Sequence, residues 1–354
     1  MGNSQVKVRG VSVVRPEFEY TTTEILAYLE QTWFKKMPPA VRRMAVRIIE
    51  GSEIERRAAP FPIETVFSDL TFKEKNDLYT QAAIQLAEQA LTKVLTHSHT
   101  QPGEIDYIIT TSCTGFMIPS VDAYLIDRLG LRQNVRRLPV TEMGCAGGTA
   151  ALIYAHDFAR ANPNLTIAVV SVEIPSITFQ PDDLSMENLV STALFADGAA
   201  AVILGPTAHV RPAIVDTDMY HFPQSTHLMG YKLHNTGLKI VLDRAVPDAI
   251  HQHFSEIFFG LLDRNGLKPE DIHNYMFHPG GKKIIARVED FIGRYGKDIS
   301  DSRAVLRECG NLSSATILHI LERVMHKPHA PGELGYLLAF GPGFTAQSLL
   351  VKWQ

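Results

Sequence analysis

The chain is poor in cysteine. Cys113, Cys145 and Cys309 are the three it has in 354 residues. Odd in number and far apart, they exclude a disulfide framework and suit reduced thiols in a cytoplasmic protein. No apolar stretch reaches the ~20 residues that span a bilayer, which excludes a membrane-spanning helix. There is no long basic stripe, and with a net charge of −4 and a pI near 6.4 nucleic acid is excluded as the main partner. Met1-Gly2-Asn3-Ser4-Gln5-Val6 lacks the charged-then-apolar pattern of a signal peptide, and Val6 stands where a myristoylation signal wants Ser or Thr. No phosphate-cradling Gly-x-x-x-x-Gly-Lys-Ser/Thr run and no dinucleotide fingerprint follows a predicted strand. His251-Gln252-His253 and His326-Lys327-Pro328-His329 do not match a tetrahedral metal framework, so no structural zinc is expected, and no cofactor is expected either.

What is present is a globular composition, 45% hydrophobic and 20% charged. The length exceeds the size at which one core stops growing, so two fused halves are expected. Tyr107 to Thr110, Thr166 to Val172 and Ala199 to Leu204 are apolar almost throughout, as in strands covered on both faces. Between them lie amphipathic helical stretches: Thr21 to Gly51, Lys73 to His97, Ser120 to Leu129 and Ala146 to Arg160. The scheme returns with a helix from Pro247 to Asn265, a strand at Tyr275 to Phe277 and a helix from Asn311 to Met325. A terminal strand pair, Tyr336 to Phe340 and Ser348 to Lys352, flanks Gly341-Pro342-Gly343. Alternating strands and helices predict an α/β architecture.

The chain also repeats itself. Gln101-Pro102-Gly103-Glu104-Ile105-Asp106 and the apolar run after it match Lys268-Pro269-Glu270-Asp271-Ile272-His273 and its own run. Glu142-Met143-Gly144-Cys145-Ala146 matches Glu308-Cys309-Gly310-Asn311-Leu312. The spacing is 167 residues from 101 to 268 and 166 from 145 to 311. Two pseudo-symmetric halves, 1–210 and 211–354 with a seam near Pro206 to Pro212, would place the turns of Cys145 and Asn311 at equivalent positions. His278 would end the second-half strand beside them.

A thiol at a helix N-terminus feels the positive end of the dipole, which favours thiolate. The alternative is a buried structural cysteine in a tight turn. His278, in Phe277-His278-Pro279-Gly280-Gly281, lies at a strand end, where α/β sheets form their crevices. A lone histidine is otherwise a surface or satisfied core residue. Asn311 would replace the nucleophile in the second copy, although helix capping alone also accounts for an Asn there. Cys113 falls at a strand end near the same crevice, and Cys309 reads as packing. The basic cluster Arg42, Arg43, Arg47, Arg56 and Arg57 reads as a solvated helix face.

Six segments in order resemble the type III polyketide synthases, the chalcone and stilbene synthase superfamily of thiolase-fold condensing enzymes. They are Thr111–Ser120, Gly144–Thr149, Ala193–Ala201, His278–Gly281, Gly310–Ala315 and Phe340–Gly343. The resemblance implies a thiolase-like fold of two βαβαβ halves in a layered α-β-α-β-α core. It further implies a Cys145, His278 and Asn311 triad, Phe195 as gatekeeper, and a cavity shaped by Gly341 and Gly343 with Ser313 beside it. It implies malonyl-CoA and an acyl-CoA starter as substrates and a homodimer, and it offers CoA phosphates to the basic cluster.

Departures from the plant pattern reshape the pocket. Cys113 stands for Thr, Tyr231 for Gly, Ile240 for Phe and Pro175 for Thr, while Thr178 is kept. Ile118 replaces a Met that reaches across the plant dimer. An aliphatic pocket and a fatty acyl starter, leading to a pyrone or resorcinol, are expected. A naphthalene-forming synthase using malonyl-CoA alone is the alternative. A single-condensation ketoacyl synthase III or HMG-CoA synthase, a papain-type hydrolase and an inactive scaffold remain as rivals.

Overall fold

The structure, a computed structural model, describes residues 6–354, so the leader reading of Met1–Gln5 lies outside the described residues. Thirteen strands run along them: β1 (Lys7–Val14), β2 (Phe18–Thr21), β3 (Arg56–Ala59), β4 (Tyr107–Thr111), β5 (Arg136–Val140), β6 (Ile167–Glu173), β7 (Gly198–Gly205), β8 (Pro212–His221), β9 (Met229–His234), β10 (Gly237–Leu242), β11 (Asn274–Phe277), β12 (Leu334–Gly341) and β13 (Thr345–Trp353). Nine form one mixed sheet in the order β11-β12-β13-β8-β1-β7-β6-β4-β5, while β2 with β3 and β9 with β10 make separate hairpin-like pairs.

The repeat is built into this sheet. In the first half β4 is parallel to β6, β6 antiparallel to β7, and β7 antiparallel to β1. In the second half β11 is parallel to β12, β12 antiparallel to β13, and β13 antiparallel to β8. The two ladders meet where Lys7 of β1 pairs with Ala213 of β8. β4 and β11 begin at residues 107 and 274, and β6 and β12 at 167 and 334, which keeps the spacing seen in the sequence. The matched segments before β4 and β11 fold into the same 3-10 turn, Pro102–Glu104 and Pro269–Asp271. In each, the residue before proline donates its N–H to the carboxylate three residues on: Gln101 to Glu104 at 2.5 Å, Lys268 to Asp271 at 2.7 Å.

Strand side chains alternate between two helical covers, as the pleat requires. Ile108, Val170 and Ile203 share a core with Ala83, Ala87 and Leu91 of the long helix Phe72–His97. Their neighbours Ile109, Val169 and Val202 face the helices Gly147–Ala161 and Thr316–Met325. In the second half Tyr275, Phe277 and Leu338 pack with the helices Val246–Arg264 and Lys282–Gly293. Met276, Leu337 and Leu349 face the central pair again. The order is α-β-α-β-α, and it explains strands without polar positions. Each buried Leu or Ile contributes ~1.5–3 kcal/mol.

Two expectations change. Thr21 to Gly51 is not one helix but two, Thr22–Gln31 and Pro39–Glu50, separated by a short 3-10 turn and Pro38-Pro39. Proline suits the first turn of the second helix but cannot continue the first. Arg57 leaves the basic cluster: it is 6% exposed on β3 and donates to the Ala193 carbonyl, and burial lowers its pKa to about 10. Arg42, Arg43 and Arg47 stay on the solvent side, lining an open groove with Lys35.

The central helices cross at Gly148, where an added Cβ would lie 2.2 Å from the Ser314 carbonyl oxygen and 2.8 Å from Ile317 Cγ2. Gly148→Ala forces them apart and is expected to destabilise by about 1–3 kcal/mol. Gly103→Ala meets nothing within 4 Å, so it should stay within about 0.5 kcal/mol of the parent. Urea unfolding compares the two; coincident midpoints would mean the crossing tolerates a side chain.

Candidate active site

Cys145 sits in a 3-10 turn, Gly144–Ala146, that leads into the helix Gly147–Ala161. Gly144 adopts φ +48°, and a Cβ there would meet the Pro342 ring at 2.4 Å. A Cβ on Gly341 would in turn lie 2.4 Å from the Met143 carbonyl oxygen. The Gly341-Pro342-Gly343 turn therefore lies directly on the turn of the thiol, as only glycine at these contacts permits.

Asn311 reaches the same place from the second half. Its backbone bridges Phe195: Asn311 N–H donates to the Leu194 carbonyl at 3.0 Å and its carbonyl accepts from Ala196 N–H at 2.9 Å. Its side-chain oxygen accepts from Ser313 N–H at 2.8 Å and the Thr316 hydroxyl at 3.4 Å, and lies 3.9 Å from Cys145 Sγ. Asn311 is not a helix cap, since a 3-10 turn, Ser313–Ala315, precedes the helix at Thr316.

The repeat is also out of step here. The two turns begin at residues 144 and 313 and their helices at 147 and 316. By position within its element, Ser314 rather than Asn311 corresponds to Cys145. Asn311, which makes the bridge to Phe195, lies three residues before Ser314.

His278 follows β11 and continues its pairing, with its N–H on the Leu338 carbonyl at 2.7 Å. β11 and β12 are parallel, so His278 and the Gly341 turn reach the same end of the sheet. The ring is 4% exposed, and neither nitrogen has a hydrogen-bond partner among the described residues.

Behind the thiol lies a carboxylate that sequence reasoning missed. Glu173, fully buried at the end of β6, accepts from Cys113 N–H at 3.0 Å, the Thr114 hydroxyl at 3.0 Å and the Ser314 hydroxyl at 2.5 Å. A lone acid closing the apolar run Ile167–Glu173 was its only signal. Cys113 Sγ lies 3.6 Å from both Glu173 and Ser313, and Ser313 also hydrogen-bonds Cys145.

The Tyr231 hydroxyl meets the Thr178 side chain, close enough to Cys113, Glu173 and Cys145 to feel their charge. Tyr231 and Ile240 face each other across the β9–β10 pair. Phe195 and Thr178 line a cleft with Arg57, Phe67 and Phe179. Gly343 takes φ +74° in its turn. Ile118 is apart from the rest, with its side chain wholly exposed. Among the described residues no group of three His, Cys, Asp or Glu is placed to hold a metal.

The electrostatics oppose the expectation from the helix dipole. Burial pushes the Cys145 thiol up to about 12, with hydrogen bonds from Ser313 and Asn311 opposing it. Burial alone drives His278 down to about 3. Desolvation penalises both charged forms, so it opposes a resting thiolate–imidazolium pair. Alkylation of Cys145 by iodoacetamide, followed by peptide mass spectrometry, should therefore accelerate steadily from pH 6 to 9, about tenfold per unit. A plateau beginning below pH 7 would reveal a preformed thiolate.

Comparison with known proteins agrees with the geometry. Residues 14–208 match the N-terminal domain of chalcone and stilbene synthases, and residues 214–353 the C-terminal domain. The 1,3,6,8-tetrahydroxynaphthalene synthase of Streptomyces peucetius subsp. caesius is 35% identical over 352 residues, 98% of this chain and 93% of that protein. The phloroglucinol synthase of Pseudomonas fluorescens is 31% identical over 344 residues, 96% and 97% of the two chains. The crystal structure of the tetrahydroxynaphthalene synthase of Streptomyces coelicolor A3(2), a bacterial type III polyketide synthase, superposes with a TM-score of 0.92 at 31% identity, covering 98% and 99%.

Proposed function

Because the chain belongs to the chalcone and stilbene synthase family and is a type III polyketide synthase, we propose that Cys145, His278 and Asn311 carry its chemistry on CoA thioesters, the nucleophile in the half 1–210 and its partners in 211–354. The thiol of Cys145 attacks the starter thioester while His278 takes its proton, and CoA leaves as the thiol with that proton. A thioester on Cys145 remains. Malonyl-CoA then places its thioester carbonyl against His278 and the Asn311 amide nitrogen.

Two observations support these roles. The Asn311 oxygen is occupied by Ser313 and Thr316, which leaves its NH₂ as the donor. Among the described residues the His278 ring nitrogens have no hydrogen-bond partner to compete with a substrate. Loss of CO₂ leaves an electron pair delocalised onto that carbonyl oxygen, where one preorganised donor is worth about 3 kcal/mol. The resulting carbon attacks the Cys145 thioester and expels the thiolate, so the extended chain is carried on CoA until it is reloaded. No strong base and no resident cofactor enters these steps. A reduced Cys145 fits the cytoplasm, and among the described residues no helix is long and apolar enough to cross a membrane.

For the starter, the carrying observation is Tyr231, whose phenol meets Thr178 beside Cys113 and Glu173 and so narrows and polarises the pocket. That favours malonyl-CoA as starter as well as extender, with a polyhydroxylated aromatic product like those named for the relatives. A fatty acyl starter is the second reading, favoured by the apolar cleft beside Phe195, whose walls include Ile25, Ile63, Val66 and Phe67. Mass-resolved products distinguish them. Malonyl-CoA alone should yield a multiply extended aromatic, absent in Cys145→Ala. Product only when a long acyl-CoA is supplied would move the assignment to the second reading, and single extension would reject both.

We also infer a homodimer across Ile118, whose apolar side chain stands fully in water beside Phe116, itself 50% exposed. Sedimentation should give twice the 39.3 kDa chain mass, and Ile118→Asp should weaken the association. A monomer at micromolar concentration would reject it.

A further inference from the structure

Lys75 is a buried cation with no carboxylate in contact among the described residues; Asp69 acts on it only through space. It lies in the first turn of the helix Phe72–His97, 5% exposed, and among the described residues it forms no salt bridge. Its ammonium donates to two carbonyls, Phe179 at 2.8 Å and Thr236 at 3.1 Å. Burying an ammonium on neutral partners costs several kcal/mol that an apolar side chain of the same length would not. Stability alone is thus a poor reason for it.

The two carbonyls say more. Phe179 follows Thr178 in the cavity wall, and Thr236 makes the turn between β9 and β10, which carry Tyr231 and Ile240. Gln180 Nε2 reinforces the joint, donating to the carbonyls of Thr178 at 3.0 Å and Leu238 at 3.3 Å. The same helix end holds a third wall. Asn76 exchanges two hydrogen bonds with the Phe116 backbone, at 2.7 and 2.8 Å, and the Tyr79 hydroxyl donates to Ser112 at 2.7 Å, next to Cys113. A capping box between Thr71 and Glu74 fixes this helix start.

We propose that Lys75 is a positioning residue for the polyketide cavity: it pins the Thr236 turn to the Phe179 carbonyl, holds Tyr231 against Thr178, and so sets how far the chain grows before release. The proposal rests on the reading that Cys145 elongates a polyketide in that cavity. Lys75 touches no reacting atom. Its removal should alter which products form far more than how often malonyl-CoA is consumed.

The test uses the full chain as wild type, Lys75→Met and Lys73→Met, the last an exposed neighbour paired with Asp77. Product lengths are resolved by mass spectrometry and CoA release is followed in parallel. Lys75→Met should shift the ratio of full-length to prematurely released product about tenfold or more, since a misplacement near 1 Å can cost ~100-fold in a positioned reaction, with CoA release changed about twofold or less. Lys73→Met should match wild type. If Lys75→Met does not fold, Gln180→Leu, which removes the other donor to this joint, gives the same readout.

An unchanged product ratio in the folded variant overturns the proposal. So does a proportional fall in all products with CoA release, or an equal shift in Lys73→Met. A wild type that makes no extended product rejects instead the polyketide reading beneath it.

Discussion

The rest of the structure depends on how closely two helices cross at its centre. Gly147–Ala161 and Thr316–Met325 come from different halves, and their first turns approach until the Ser314 carbonyl oxygen leaves no room for a Cβ on Gly148. Both are clamped between the inner faces of the two half-sheets. Interiors are packed like organic crystals, so an approach of this kind has one solution. It brings the Cys145 turn within 3.9 Å of the Asn311 side chain, although 166 residues separate them. A bond network through Thr111, Ser171, Ser314 and Glu173 locks the junction.

That junction is largely removed from solvent, with Glu173, His278 and Asn311 buried and Cys145 half-buried. Desolvation dominates at Cys145, His278 and Glu173, in each case against the charged form. A helix N-terminus stabilises an anion by up to about 2 kcal/mol, which opposes the desolvation that raises the Cys145 thiol without reversing its direction. In the proposed mechanism, proton transfer from Cys145 to His278 accompanies attack on the thioester rather than preceding it. Donors held in such a setting gain strength from the low dielectric, which favours the enolate oxygen formed on decarboxylation.

Around this rigid centre the cavity is made of loops, and loops need bracing. The Cys113 loop, the Thr178 loop and the β9–β10 pair contribute walls, yet none belongs to the nine-stranded sheet's core. One helix end, with Lys75, Asn76 and Tyr79, reaches all three. In the reading proposed above, the sheet and its central helices place the reacting groups, and the braced loops decide which chain fits.

The sequence by itself determined the class and much of the centre. Uninterrupted apolar runs bounded by turns suit strands covered on both faces, and the 167-residue spacing survives from the Pro102–Glu104 and Pro269–Asp271 turns through β6 and β12. Glycines around Cys145 announced a close approach, and a single histidine at a strand end announced the crevice. Only the tertiary structure decided the rest, because it depends on contacts between segments far apart. It moved Asn311 three residues out of register with Cys145, through a bridge to Phe195 that no local pattern encodes. It took Arg57 out of a basic helix face and into the interior, where periodicity had no say. It buried Glu173 against Cys113, Thr114 and Ser314 and Lys75 against two carbonyls, residues whose charge reads as solvent-facing until their distant partners are known.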